Sequence, residues 1–151
     1  MGPVCTIGYE GATVPAVLDA LREAKVEMLV DVRAVASSRR PGFAKTALAA
    51  NVDSIGVEYL HLRGLGTPAD GRAAARAGKS AEMQRIFLAH LATDQAQTQL
   101  ATLTTLVRDG RRVCLLCFEA DAARCHRTLV ANAVAKKLGV EIVHLVPEDD
   151  S

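Results

Sequence analysis

The sequence predicts an α/β fold: one domain over residues 1–151, built as a three-layer, Rossmann-like sandwich around a mainly parallel sheet of about five strands. Three observations predict it. Short apolar, β-rich runs alternate with segments of helical spacing, the pattern of a parallel sheet covered on both faces. The 151-residue length suits one domain, and 50% of the residues are apolar, enough for a core without disulfide staples. No internal repeat and no linker interrupts the alternation.

The elements follow in order. Val4–Ile7 is a short strand stopped by Gly8 and Gly11. Val14, Val17, Leu18 and Leu21 recur at helical spacing, with Thr13 as N-cap and Pro15 in the first turn. Met28–Val32 is a buried strand. Residues 33–44 form a loop rich in Ser and Arg and broken by Pro41-Gly42, and a short helix follows from Lys45 to about Asn51. Val57–Leu62 alternates like a strand. Arg63–Ser80 reads as a second long loop, with room for one helical turn. Met83, Ile86, Phe87 and Leu91 restore helical spacing. Asp94 and Gln97 have the form of a capping box for a helix through Leu100, Leu103, Leu106 and Val107, stopped at Asp109-Gly110. Arg112–Phe118 is the most continuous apolar run and hence a central strand. A helix from about Ala122 to Leu138 ends at Gly139, a good C′ residue, and Val140–Val146 is the last strand. Residues 146–151 form a frayed acidic tail.

Bulk properties exclude several functions. The formal charge is +1, so the whole molecule does not attract polyanions and any phosphate role needs a local patch. No apolar run is long enough for a membrane helix, and the first ten residues lack the charged and apolar regions of a signal peptide. Four cysteines without a secretory signal, two of them in strands, favour reduced thiols, so the expected location is the cytoplasm.

Ligands of such sheets bind beyond the carboxyl ends of the strands. The segments expected there hold Tyr9 and Glu10 after the first strand, then Asp31, Arg33, Ser38, Arg39 and Arg40 after the second. His61 and Arg63 follow the third, and Cys117, Glu119, Asp121, Cys125, His126 and Arg127 the fourth. The segments "TIGYEG", "LVDVR", "SRRPGFAK", "GVEYLHLRGLG" and "LLCFEADAARCHR" fall at these same ends. Through them the chain resembles the widespread bacterial and archaeal family catalogued as domain of unknown function 488. The resemblance spans nearly the whole chain and implies a small α/β fold, but no reaction.

The residue types permit several chemistries. Cys117, Cys125 and His126, with His61, could ligate a soft or borderline metal. The Cys-x7-Cys-His spacing is not a zinc knuckle, and on a helix adjacent residues point about 100° apart, which argues against Cys125 and His126 sharing an ion. No metal site is therefore assigned, and no cofactor is singled out. Cys117 at a strand end or Cys125 in a first helical turn between Arg124 and His126 could be a nucleophile. A phosphatase loop is excluded, because Cys117 to Arg124 is Cys-x6-Arg and Glu119 and Asp121 repel phosphate. Arg33, Arg39, Arg40, Lys45 and Arg127 could bind an anion, or pair with Asp31, Glu119 or Asp121. Glu10 and Glu119 have no evident structural job and could move protons, while Asp121 reads as a helix cap. His90 and His144 read as structural, and His61 as pocket-lining or a satisfied buried histidine. Aromatics are 3% of the chain, so a base-stacking platform is poorly supplied; Tyr9 and Phe43 belong by the pocket, with Phe118 as a further candidate.

The expected function is an enzyme acting on a small anionic substrate, phosphate-bearing or nucleic-acid-related. Arg33, Arg39 and Arg127 would hold the anion, Glu10 or Glu119 would move protons, and Cys117 or Cys125 with His126 would supply reactive or ligating groups. Tyr9 and His61 would line the pocket. Arg33→Ala should then spare the structure and abolish turnover. The alternatives are a non-catalytic ligand, metal, haem or redox sensor, and a nucleic-acid-associated accessory protein. The oligomeric state and the choice between Arg39 and Arg40 stay open.

Overall fold

Five apolar runs become five strands in the computed structural model, which describes residues 1–148. They are β1 (Val4–Gly8), β2 (Met28–Asp31), β3 (Glu58–His61), β4 (Val113–Cys117) and β5 (Ile142–Leu145). The sheet order is β3-β2-β4-β1-β5 and every pairing is parallel. The central strands β1, β2 and β4 are buried at every position, as near-continuous apolar runs in a two-sided sheet require. Edge strands β3 and β5 are only partly covered.

Six helices cover the sheet: α1 (Val14–Glu23), α2 (Lys45–Asp53), α3 (Ala69–Arg76), α4 (Ser80–Leu91), α5 (Asp94–Arg108) and α6 (His126–Leu138). Residues of α1 and α2 pack with Ile7, Leu29, Cys114 and Leu116 on one face. Residues of α3 to α6 pack with Val4, Val30, Val113 and Leu115 on the other. This is the predicted three-layer, Rossmann-like sandwich. Among the described residues, no helix is long and apolar enough to cross a membrane. Residues 149–151 of the expected acidic tail lie outside the described residues.

Topology then places the site. The connection leaving β4 runs through α6 on one face, while those leaving its neighbours β1 and β2 run through α1 and α2 on the other. Loops that part in opposite directions open a crevice at the carboxyl end of β4.

Three elements differ from expectation. The loop expected over 63–80 contains a 3₁₀ turn at Arg63–Leu65 and the two-turn helix α3, of which only Gly71 and Ala74 are buried. Helix α5 is capped by the Thr93 hydroxyl, which accepts from Ala96 N, while Gln97 donates to Leu91 O. The expected capping box is therefore one residue out of place. The last helix starts late: Ala122–Arg124 is a 3₁₀ turn capped by Asp121, Cys125 is extended (φ −118°, ψ 139°), and α6 begins at His126. Gly139 ends α6 in the left-handed conformation, as expected.

Candidate functional site

Beyond the end of β4 lies a cleft of about 360 Å³. Cys117 and His126 form part of its lining, with Glu119 and Phe118 beside them. Tyr9 and Arg33 come from the ends of β1 and β2, Arg72 and Arg76 from α3, and Arg124 from the 3₁₀ turn before α6.

Cys117 ends β4 and its side chain belongs to the α6 face. Cys125 is the N-cap residue of α6 and His126 its first residue. All three are buried. The two Sγ atoms and one imidazole nitrogen lie within 4.8 Å of one another. His126 Nδ1 is 3.5 Å from Cys117 Sγ and 4.0 Å from Cys125 Sγ. His126 Nε2 is 2.6 Å from the Val32 carbonyl, which can only accept, so Nε2 carries a proton and Nδ1 faces the sulfurs. Contrary to expectation, the Cys125 and His126 side chains converge, because Cys125 precedes the helix in extended backbone.

The electrostatics of the cluster follow from burial and proximity. Burial drives the Cys117 thiol well above its usual range, and the neighbouring Cys125 and Glu119 drive it further. Burial acts in the same direction on Cys125, but hydrogen bonds from Cys117 and His126, with the His126 charge, outweigh it and hold Cys125 well below the usual thiol range. His126 is raised in turn: burial disfavours its charge, and the contact with Cys125 more than offsets this. Burial also raises Glu119, whose Oε2 is 3.3 Å from Cys117 Sγ, with the Cys125 charge adding to it. Of the two thiols, Cys125 is therefore the more acidic.

A second buried unit lies toward the other face. Asp31 is fully buried, and its carboxylate accepts two side-chain hydrogen bonds from Arg33, at 2.9 and 2.7 Å. Arg33 also donates to the Tyr9 hydroxyl and the Phe43 carbonyl, and Tyr59 donates to Asp31 at 2.5 Å. Burial disfavours the Arg33 charge, but the bonds and charge of Asp31 prevail and hold the guanidinium above its ordinary value. Burial and the bond to Asp31 likewise raise Tyr59. Arg33 therefore holds strand ends together, and the expectation that Arg33→Ala spares the structure is corrected.

The other expected residues are placed as follows. Glu10 is exposed and accepts from Ala120 N, so it has a structural job after all. Arg127 is 1% exposed and donates to the carbonyls of Glu119 and Ala120 from beneath the loop, away from the cleft lining. His61 meets the Arg33 carbonyl at 2.7 Å and stands outside the lining. Arg39 is exposed, whereas Arg40 folds inward over the Phe43 ring, 4.7 Å from its centroid, and donates to the Tyr9 and Ala12 carbonyls. Phe43 is buried behind Tyr9, stacked at 4.5 Å, so Tyr9 and Phe118 supply the aromatic lining. His90 bonds the Gly64 carbonyl and His144 lies 2.6 Å from the Thr6 hydroxyl. Cys5 and Cys114 are opposed across β1 and β4, and burial raises both thiols.

Arg72 and Arg76 were hidden within the segment expected to be a loop. Their signal is the four-residue spacing in an Ala-rich run, which sets both on one side of a helix.

A protein-family model described as Domain of unknown function DUF488 matches residues 13–134. The chain belongs to this family. No curated protein and no solved structure matches it. The DUF488 match contains the Cys117, Cys125 and His126 cluster, Asp31, Arg33 and the three further cleft arginines, while Tyr9 and Glu10 fall before it.

Proposed function

We propose that the DUF488 cleft is the active site of an enzyme acting on a small anionic substrate, phosphate-bearing or nucleic-acid-related. One observation carries the proposal: Arg72, Arg76 and Arg124 stand around a cleft that is also lined by Cys117, His126 and Glu119. Arg33 is neutralised by Asp31, so the binding charge falls to the other three. Arg72 is anchored to the Thr67 carbonyl and Arg124 pairs loosely with Asp121 at 3.7 Å, so each keeps donors for a ligand. Phe118, 42% exposed, and Val35, 54% exposed, add apolar surface that suits a base or another ring. Glu119 stands where it would exchange a proton with a bound substrate. Four buried free cysteines favour a reducing compartment, the cytoplasm.

The test is calorimetric binding of inorganic phosphate, pyrophosphate and nucleoside monophosphates, then turnover of phosphate esters and short oligonucleotides. Binding should weaken with salt. Arg72→Ala with Arg76→Ala should lower affinity about 10- to 100-fold, each charge-assisted hydrogen bond being worth about 1.5–3 kcal/mol. Affinity unchanged in that double variant, or no binding by the parent, overturns the proposal. Binding without turnover favours the sensing alternative.

A further inference from the structure

We infer that Cys117, Cys125 and His126 form a metal centre for a borderline divalent cation of the zinc class, with its fourth position turned to the cleft. The inference deepens the active-site proposal and rests on it only for the use of that fourth position.

Geometry is the first support. With Zn–S bonds of about 2.3 Å and Zn–N bonds of about 2.0–2.1 Å, a tetrahedral ion separates sulfur from nitrogen by about 3.5 Å and sulfur from sulfur by about 3.8 Å. The measured sulfur–nitrogen separations are 3.5 and 4.0 Å, and all three donor atoms lie within 4.8 Å of one another. A small inward movement of Cys125 brings its sulfur–nitrogen distance to the tetrahedral value.

Orientation is the second. The Val32 carbonyl holds the Nε2 proton of His126, which leaves Nδ1 as the coordinating atom and fixes the ring plane. Metal-bound histidines use the same outer hydrogen bond. The hydrogen-bond contacts of Nδ1 are the two sulfurs, which are weak partners for a buried ring nitrogen and good companions in a ligand set.

Charge is the third. Two thiolates and a neutral imidazole around a dication have no net charge, which suits three buried ligands. Thiol protons leave to solvent as the dication binds. Sulfur donors select against magnesium and calcium. Two protein sulfurs, one nitrogen and an open position match a catalytic centre rather than a closed structural one. Cys117 and His126 line the cleft and Cys125, 3% exposed, lies behind them, so a fourth ligand can only come from the cleft side. Glu119 stands beside that side, 3.3 Å from Cys117 Sγ.

The purified full chain, stripped with a chelator, is titrated with Co²⁺ and then Zn²⁺ without any substrate. One equivalent of Co²⁺ should bind with a thiolate-to-cobalt charge-transfer band and tetrahedral ligand-field bands, all displaced by Zn²⁺. X-ray absorption of the zinc form should give two sulfurs and a nitrogen in the first shell. Cys125→Ser and His126→Gln should lose the band or change the shell. Because those variants can unfold, the parent's spectra decide: no stoichiometric uptake, or a shell without sulfur, overturns the inference. Metal bound in this shell by a chain that fails the phosphate test keeps the centre and removes the active-site proposal. Phosphate bound by a chain that takes no metal does the reverse.

Discussion

Arg33 is 6% exposed and Asp31 fully buried, and each is the other's charge partner. Removing one partner strands the other, so Arg33→Ala should cost about 3–5 kcal/mol of stability in urea unfolding. A loss below about 1 kcal/mol would mean that the pair is not buried as described. The protonation of His144 gives a second prediction at this scale. Partial desolvation of this largely exposed ring, then the Arg127 charge, lowers its affinity for a proton in the folded state. The unfolded chain therefore binds a proton that the folded chain resists. The His144 contribution is present above the unfolded value of about 6.5 and is lost as pH falls below it toward the folded value. His144→Gln should flatten that part of the stability profile relative to the parent, and parallel profiles would refute the assignment. Among single residues the sequence reveals types better than partners. Asp31 and Arg33 stand out in "LVDVR", but their commitment to each other depends on two side chains meeting beyond the end of β2 and on a Tyr59 hydroxyl from β3. Glu10 shows the same limit, since its partner is a backbone amide 110 residues away.

Helices are legible where they bury an apolar stripe and obscure where they do not. Leu100, Leu103 and Val107 announce α5, and its cap is misplaced by a single residue because Thr93 and Asp94 are both good caps. Thr93→Ala should cost about 1 kcal/mol, while Asp94→Ala should cost less than half of that; the reverse order would restore the expected box. Helix α3 buries only a glycine and an alanine, so no period marks it. The start of α6 is hidden for another reason. A 3₁₀ turn capped by Asp121 imitates the first turn of a helix, and only the extended backbone at Cys125 swings that side chain back toward Cys117. Gly8 seats the same region from the opposite side. A Cβ there would meet the Glu119 carbonyl at 1.8 Å, so Gly8→Ala should displace the Glu119 loop. The readout is faster amide exchange at Ala120, whose N–H is held by Glu10, and unchanged exchange would show that the loop does not depend on this approach.

Across the whole molecule, strand order matters more than chain order. Strand β1 lies between β4 and β5, so the first and last strands are joined inside one sheet. The stretch matching the family, residues 13–134, omits both. A chain cut to those residues bares the edge of β4 and removes the contacts of α6 with β1 and β5, and it should show no cooperative urea transition. A sharp transition near the parent's midpoint would show that β1 and β5 are accessories. The alternation of apolar runs makes the parallel sheet legible; the order 3-2-4-1-5, which sets where the loops part, is a tertiary choice that no local pattern encodes.

The floor of the cleft belongs to the sheet and its caps, whereas one wall belongs to α3, a thinly anchored helix inserted between β3 and β4. These two parts are separable in an engineer's sense. If the cleft binds the proposed anion, exchanging Arg72 and Arg76 would alter what is admitted and leave the buried cluster beneath in place, so one scaffold could be retuned to new molecules from a single short segment.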